Sequence, residues 1–298
     1  MNNVKKIILL VLTAVSITNC NSSVEKKNDL QKVELKGKVK SVRTAGYTVV
    51  EKFGEIRKGK ITDLDDFINF GSFFDSFNLI DGLCVYNEKG DIIEINRYNS
   101  DGSLNWKGVY KYDNKGNKIE ENGYNSDGSF VSKMIYKYDD KDNLIEENWS
   151  DSSGNIYDGP TYKYDDKGNQ IEKNHYHSDG SFEGKQIYKY DDKGNQIELN
   201  NYNYDGDFVG KITCKYDDKG NKVEAEMHND WNGFIRLIFK YDDKNNVVEM
   251  NMYDSKEGSE DKITFKYEFD TKGNWVKLIN YENDKPELII EREIEYYQ

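Results

Sequence analysis

The sequence predicts an all-β protein: a long antiparallel meander of 26-residue, two-stranded repeats forming a curved or rolled sheet, with a small aromatic-rich N-terminal cap. Three observations predict it. A unit reading Tyr-Lys-Tyr-Asp-Asp-Lys-Gly-Asn-x-Ile-Glu begins at Tyr162 and recurs almost letter for letter from Tyr188 to Glu198. Glycines at Gly90, Gly102, Gly116 and Gly128 alternate at spacings of 12 and 14 residues, marking two turns per repeat. The apolar material is rich in rings, with 23 Tyr and 13 Phe in a chain that is only 36% hydrophobic, and ring-lined strands rather than aliphatic helices suit that composition.

The first turn, Asp-Lys-Gly-Asn, carries Gly90, Gly116, Gly168, Gly194, Gly220 and Gly273, with Asp142 and Asn245 in the glycine position of two copies. Asp and Asn are the non-glycine residues that best tolerate a left-handed backbone, so this column demands a positive φ. The second turn reads Ser-Asp-Gly-Ser at Ser100, Ser126 and Ser178, and Tyr-Asp-Gly-Asp at Tyr204. Asp-Gly between β-prone runs is a strong hairpin signal. About eight such repeats give roughly sixteen antiparallel strands.

Register decides which side chains are buried. If Lys193-Gly194 is a two-residue loop, Tyr190 faces Ile197, Tyr188 faces Leu199, and Lys189 faces Glu198 as a cross-strand ion pair. One face then carries the rings together with the column Ile119, Ile145, Ile171, Ile197, Val223 and Val248. A three-residue loop with a bulge instead places Tyr and Ile on opposite faces. The first register is preferred because it makes one coherent apolar face. The unequal glycine spacing shears the sheet by about 7 Å per repeat unless bulges compensate, and a sheared, twisted sheet coils or rolls.

Four segments follow. Residues 1–19 read as a lipoprotein signal peptide, with basic Lys5 and Lys6 before a short apolar run from Ile7 to Val15. Ile17-Thr18-Asn19-Cys20 resembles the lipobox of bacterial lipoproteins, which implies acylation of Cys20 and a membrane partner through that lipid. Residues 20–32 read as a lipidated tether. Residues 33–85 form the expected cap, with β-like stretches around Val39–Val42 and Tyr47–Phe53, and Phe67, Phe70, Phe73, Phe74 and Phe77 poised to cover the rolled sheet. Residues 86–298 are the repeat domain, closed by an alternating strand from Ile289 to Tyr297.

From roughly residue 86 to 280 the chain resembles the YD-repeat, or RHS, family of exported bacterial proteins. The letters that carry it are Tyr-Asp, then Gly, then a β-prone residue, as in Tyr164-Asp165, Gly168 and Ile171. The resemblance implies a coiled shell of hairpins in an exported protein of the cell envelope, at the outer membrane or cell surface, and it is compatible with glycan binding. It supplies no binding residues. The chain runs about 25 residues beyond Gly273, so no C-terminal toxin domain is expected and no delivery role is carried over.

Net charge is -13, and loss of Lys5 and Lys6 deepens it. An acidic surface repels phosphate backbones, so no nucleic-acid partner is expected. Cys84 and Cys214 sit in the column otherwise held by Tyr110, Tyr136, Tyr162 and Tyr188 and read as small buried hydrophobes; pairing them would require the sheet to close. Asp191, Asp192 and Glu198 lack calcium-loop spacing, and His175 with His177 lacks further ligands. No catalytic or cofactor motif appears, so neither an enzyme nor a cofactor is expected. One column invites a ligand: Tyr98, Tyr124, Tyr176 and Tyr202 precede the Asp-Gly turns on the polar face, where ring faces can stack on sugars beside hydroxyl-bonding amides. Packing across the hairpin explains the same rings without a ligand. The expectation is therefore a non-enzymatic, exported β-repeat protein that binds a glycan or envelope component, with a structural or protein-interaction scaffold as the alternative and a polysaccharide hydrolase as a minority reading.

Overall fold

The structure, a computed structural model, describes residues 27–62, 64, 82–229 and 233–298. One short helix, α1 (Asp29–Lys32), precedes nineteen strands. The first three are β1 (Val39–Lys52), β2 (Glu55–Thr62) and β3 (Gly82–Tyr86). Then come β4 (Ile92–Tyr98), β5 (Leu104–Tyr112), β6 (Lys118–Asn125), β7 (Phe130–Tyr138), β8 (Leu144–Asp151), β9 (Ile156–Tyr164), β10 (Gln170–Tyr176) and β11 (Phe182–Tyr190). The last eight are β12 (Gln196–Asn203), β13 (Phe208–Tyr216), β14 (Lys222–Asn229), β15 (Gly233–Tyr241), β16 (Val247–Asp254), β17 (Ser259–Phe269), β18 (Trp275–Glu282) and β19 (Lys285–Tyr296).

The all-β expectation holds, but the open, rolled meander does not. Each strand from β3 to β19 pairs antiparallel with the next, and β1 joins the two ends, pairing with β19 from Val39 to Thr48 and with β3 from Ser41 to Thr44. The result is a closed antiparallel barrel of 18 strands. Closure removes the free edges that an open sheet of this length would expose. Strand β2 lies outside the ring, paired to the upper half of β1. Of the segment expected as a cap, β1 and β3 are therefore wall strands; its phenylalanine cluster lies outside the described residues, as does Cys20. Residues 28–36 strap one rim across the closing strands: Leu30 N–H donates to Gly90 O at 2.9 Å, and Lys36 N–H donates to Asn274 Oδ1 at 2.8 Å.

The letters of the repeat each have a structural task. Asp191 accepts from Lys193 N–H at 2.9 Å and from Asn195 N–H at 2.8 Å, and the Asn195 amide returns to it at 2.9 Å. Asp191 N–H donates to Asn195 O, Gly194 N–H donates to Asp191 O, and Gly194 sits at φ 85. This is a three-residue loop with a left-handed glycine, not the two-residue loop the sequence favours. Asp142 and Asn245 take the same conformation at φ 64 and 65, as their place in the glycine column requires. The second hydroxyl of each Tyr-x-Tyr ties neighbouring repeats: Tyr190 donates to Gln170 O at 2.8 Å and Tyr138 to Lys118 O at 2.7 Å.

A β-bulge follows each such loop. Tyr188 faces Leu199 and Lys189 faces Glu198 as expected, but Tyr190 faces Gln196 and Ile197 is left over. The isoleucine column therefore points outward, with Ile119, Ile145, Ile171 and Ile197 each 37% exposed, rather than sharing the ring face. The bulge inserts one residue and flips only that position. Mid-strand, the outer wall carries a belt of Lys–Glu pairs, among them Lys111–Glu120 (2.7 Å), Lys189–Glu198 (2.6 Å) and Lys240–Glu249 (2.7 Å). The inner wall packs two cores. The larger gathers Leu199, Ile212, Leu237, Met250, Phe265, Leu278 and Ile290; the smaller gathers Leu30, Val39, Val42, Cys84, Tyr86 and Ile95. Cys84 and Cys214 are buried in different cores and form no disulfide with each other, and burial pushes the Cys84 thiol up to about 12.

Candidate functional site

The two rims of the barrel differ. The Asp-Lys-Gly-Asn turns and the N-terminal strap occupy one; the Asp-Gly turns occupy the other. Tyr98, Tyr124, Tyr176 and Tyr202 end their strands at the Asp-Gly rim, each half-exposed. All four face outward, because the outward Lys107 and Lys185 are the cross-strand partners of Tyr124 and Tyr202. Across the tight turn each meets an apolar side chain: Leu104, Phe130, Phe182 and Phe208 respectively. The three Tyr–Phe pairs are edge-to-face, with centroids 6.1, 6.0 and 6.0 Å apart. Phe130, Phe182 and Phe208 keep 38, 37 and 40% of their surface exposed.

The row thus presents repeated aromatic pairs along one rim. It does not present the amides expected beside them. The Asn203 side chain accepts from Asp205 and Asp207 N–H, and the Asn125 amide donates to Ser129 Oγ at 3.0 Å, so both are spent on their own turns. Arg43 covers Tyr98 at 4.8 Å and Lys185 covers Tyr202 at 5.5 Å. The chemistry on offer is ring stacking flanked by cations.

A second set of polar groups, which the sequence reasoning missed, lies on the inner wall. The residues facing Tyr110, Tyr136, Tyr162 and Tyr188 are Glu121, Glu147, Lys173 and Leu199. Tyr136 donates to Glu121 at 3.0 Å, and Tyr162 donates to Glu147 at 2.7 Å. Lys118 lies 3.4 Å from Glu121 and stacks over Tyr136 at 4.5 Å. Next to Lys173 on the same face, His175 Nε2 lies 3.3 Å from Gln186 Oε1, which also accepts from Tyr188 at 2.8 Å. Burial lowers the Lys173 ammonium, opposed by the charge of Glu147, and burial followed by the charge of Lys173 lowers His175. The signal for this patch was the column immediately after each Ile-Glu, which the register that faces Tyr188 with Leu199 already sets opposite the first ring. His175 and His177 gather no further ligands: among the described residues no group of three or more His, Cys, Asp or Glu is placed to hold a metal.

No protein-family model matches the chain, and no curated protein matches it by sequence. The YD-repeat resemblance therefore stands on its letters. Among solved structures the chain is similar to the Photorhabdus luminescens Tc holotoxin pore, at 12% identity over 69% of this chain and 11% of that one, with a TM-score of 0.36. It is also similar to a porin-like protein from Bacteroides uniformis, at 11% identity over 86% of this chain and 96% of that one, TM-score 0.42. A porin-like protein from Bacteroides vulgatus matches at 11% identity over 87% and 98% of the two chains, TM-score 0.31. The chain spans only about a tenth of the toxin chain's length. Likenesses this distant carry no functional argument. The surface itself is informative: a bilayer-spanning barrel turns an apolar band outward and polar groups inward, whereas this wall turns its Lys–Glu belt outward and its apolar cores inward.

Proposed function

We propose that the chain is an exported, lipid-anchored, non-enzymatic β-barrel that binds a glycan or another envelope component along its Asp-Gly rim. The observation that supports this reading is the row of half-exposed rings at that rim, on the opposite side from the strap that leads back to Cys20. A tether at one rim leaves the aromatic row turned away from the anchoring membrane. Each exposed phenylalanine offers an apolar face to a sugar ring, and Arg43 and Lys185 stand beside two of the tyrosines. Such a barrel needs no bilayer-spanning element, because acylation at Cys20 supplies the attachment.

The spent turn amides favour a second reading, in which the tyrosines only brace their hairpins and the barrel is a scaffold for a protein partner. Glycan-array binding by residues 21–298, beside a Tyr124→Ala, Tyr176→Ala, Tyr202→Ala triple variant, separates the two. Specific binding lost in a variant that keeps the wild-type melting temperature supports the glycan reading. Absence of binding by the folded wild type transfers support to the scaffold.

A further inference from the structure

Among the described residues the wall of the barrel is split between β9 and β10. Strand pairs joined by the Asp-Lys-Gly-Asn turn zip up to the far rim: β7–β8 reaches Ser132↔Asp151 and β11–β12 reaches Gly184↔Asn203. The pair β9–β10 stops at Thr161↔Asn174. Beyond it β9 remains paired only with β8, through Asp158↔Asn148 and Tyr157↔Trp149, and β10 only with β11, through His175↔Gly184. Pro160 accounts for the break, since it has no N–H to give the ladder, and Gly159-Pro160 forms an irregularity in the β8–β9 register. Two strand edges thus face one another across a wedge that opens at the Asp-Gly rim.

The side chains around that wedge are unlike those elsewhere on the wall. Trp149 and Tyr157 stack with centroids 4.2 Å apart, and Trp149 is 39% exposed although it belongs to the inner-facing series. Lys173 stands at the closed end, half-buried, 5.6 Å from the Tyr162 ring centroid. Among the described residues it has no carboxylate within ion-pair distance: Glu172 pairs outward with Lys163 at 2.6 Å, and Glu147 accepts from the Tyr162 hydroxyl. His175, two residues beyond Lys173 toward the open end, lies 3.3 Å from Gln186.

We propose that this wedge binds an acidic saccharide, a uronate-containing oligosaccharide, with a sugar face on Trp149–Tyr157, hydroxyls on His175 and the unzipped backbone, and the carboxylate on Lys173. The proposal rests on the glycan reading above but names a different site and a sugar class. An aromatic platform suits the apolar face of a pyranose, N–H and C=O groups left out of the β9–β10 ladder suit hydroxyls, and a half-buried ammonium with no carboxylate in ion-pair contact, only the more distant charge of Glu147, gains from one supplied by a ligand. The charge of the whole chain, -13, disfavours long polyanions and leaves short acidic sugars as the better match.

The test is calorimetric titration of residues 21–298 with trigalacturonate and, as the neutral control, a galactose trisaccharide. The proposal expects trigalacturonate to bind more tightly than the control. Lys173→Gln is expected to weaken trigalacturonate at least tenfold with little change for the control, and Trp149→Leu to weaken both. Lys219→Gln, which removes the same charge from an exposed turn at the opposite rim, is expected to bind trigalacturonate as the wild type does. No trigalacturonate binding by the folded wild type overturns the proposal, as does Lys173→Gln binding unchanged. Trigalacturonate binding kept by Lys173→Gln but lost in a Tyr124→Ala, Tyr202→Ala variant would assign the sugar to the outer row, leaving the glycan reading intact and the wedge refuted.

Discussion

The inner wall from β5 to β10 and the inner wall from β12 to β19 are built on the same hairpin, yet one is polar and the other dry. At the position facing the first ring of Tyr-x-Tyr, the first region carries Glu121, Glu147 and Lys173, all half-buried; the second carries Leu199, Ala225, Met250 and Leu278, each fully buried. The turns and the outer Lys–Glu belt are shared. The contrast teaches that this repeat fixes the wall through its turns, its Tyr staples and its outer charges, and leaves one inward column free to vary. Stability is concentrated where that column is aliphatic, and chemistry where it is not.

The sharpest way to break the comparison is to make equivalent changes in the two regions. Leu278→Ala, at a site with no exposure, is expected to cost about 2–5 kcal/mol in urea unfolding. Glu147→Gln, whose amide oxygen can still accept from Tyr162, is expected to cost under about 1 kcal/mol. Equal losses would refute the division.

A smaller effect tests the wedge wall. A Cβ on Gly159 would lie 2.2 Å from Glu147 O, so Gly159→Ala is expected to destabilise by about 1–3 kcal/mol through forced backbone movement. A variant as stable as wild type by thermal melting would show that this part of β9 is looser than described.

Acid titration should act on both regions alike and have the smallest effect. Hydrogen bonds from Lys111, Asn122 and Lys133 hold Glu120 down to about 2; Lys189 and Asn200 do the same for Glu198, and Lys240 and Asn251 for Glu249. A depressed carboxylate contributes stability that is complete above its unfolded value near 4.5 and lost as pH falls toward 2. Glu120→Gln in the polar region and Glu249→Gln in the apolar one should therefore flatten the stability profile over that pH window by similar amounts. Surface screening keeps each contribution modest. A change confined to one region would mean that the belt is not common to both.

Much of this was legible from the letters. Tyr188 opposite Leu199, Lys189 opposite Glu198, the left-handed Asp142 and Asn245, and the outward row from Tyr98 to Tyr202 all follow from period and turn chemistry. The position of Ile197 did not, because it depends on a bulge whose cause is the hydrogen bonding of a three-residue loop rather than any apolar pattern. Closure was out of reach for a different reason: Val39 meets Tyr296 through pairing at the greatest separation in the chain, and nothing local announces it. Pro160 was visible as one of two prolines, but its meaning required knowing that β10 lies beside it. The polar column followed from the same register that set Leu199 opposite Tyr188 and was missed because only the aliphatic member of that column was considered.

The way β1 bridges β19 and β3 makes this array a ring, and a ring has a count. An open solenoid can gain or lose a unit at its tip and remain the same kind of object. Here the stretches beginning at Tyr162 and Tyr188 are nearly identical, the sort of sequence in which genetic exchange out of step would drop or duplicate one copy. Either event would alter the circumference, and with it the girth that the two inward cores must fill. Repeat number in this chain is therefore held by geometry, as the number of staves is held by the hoop.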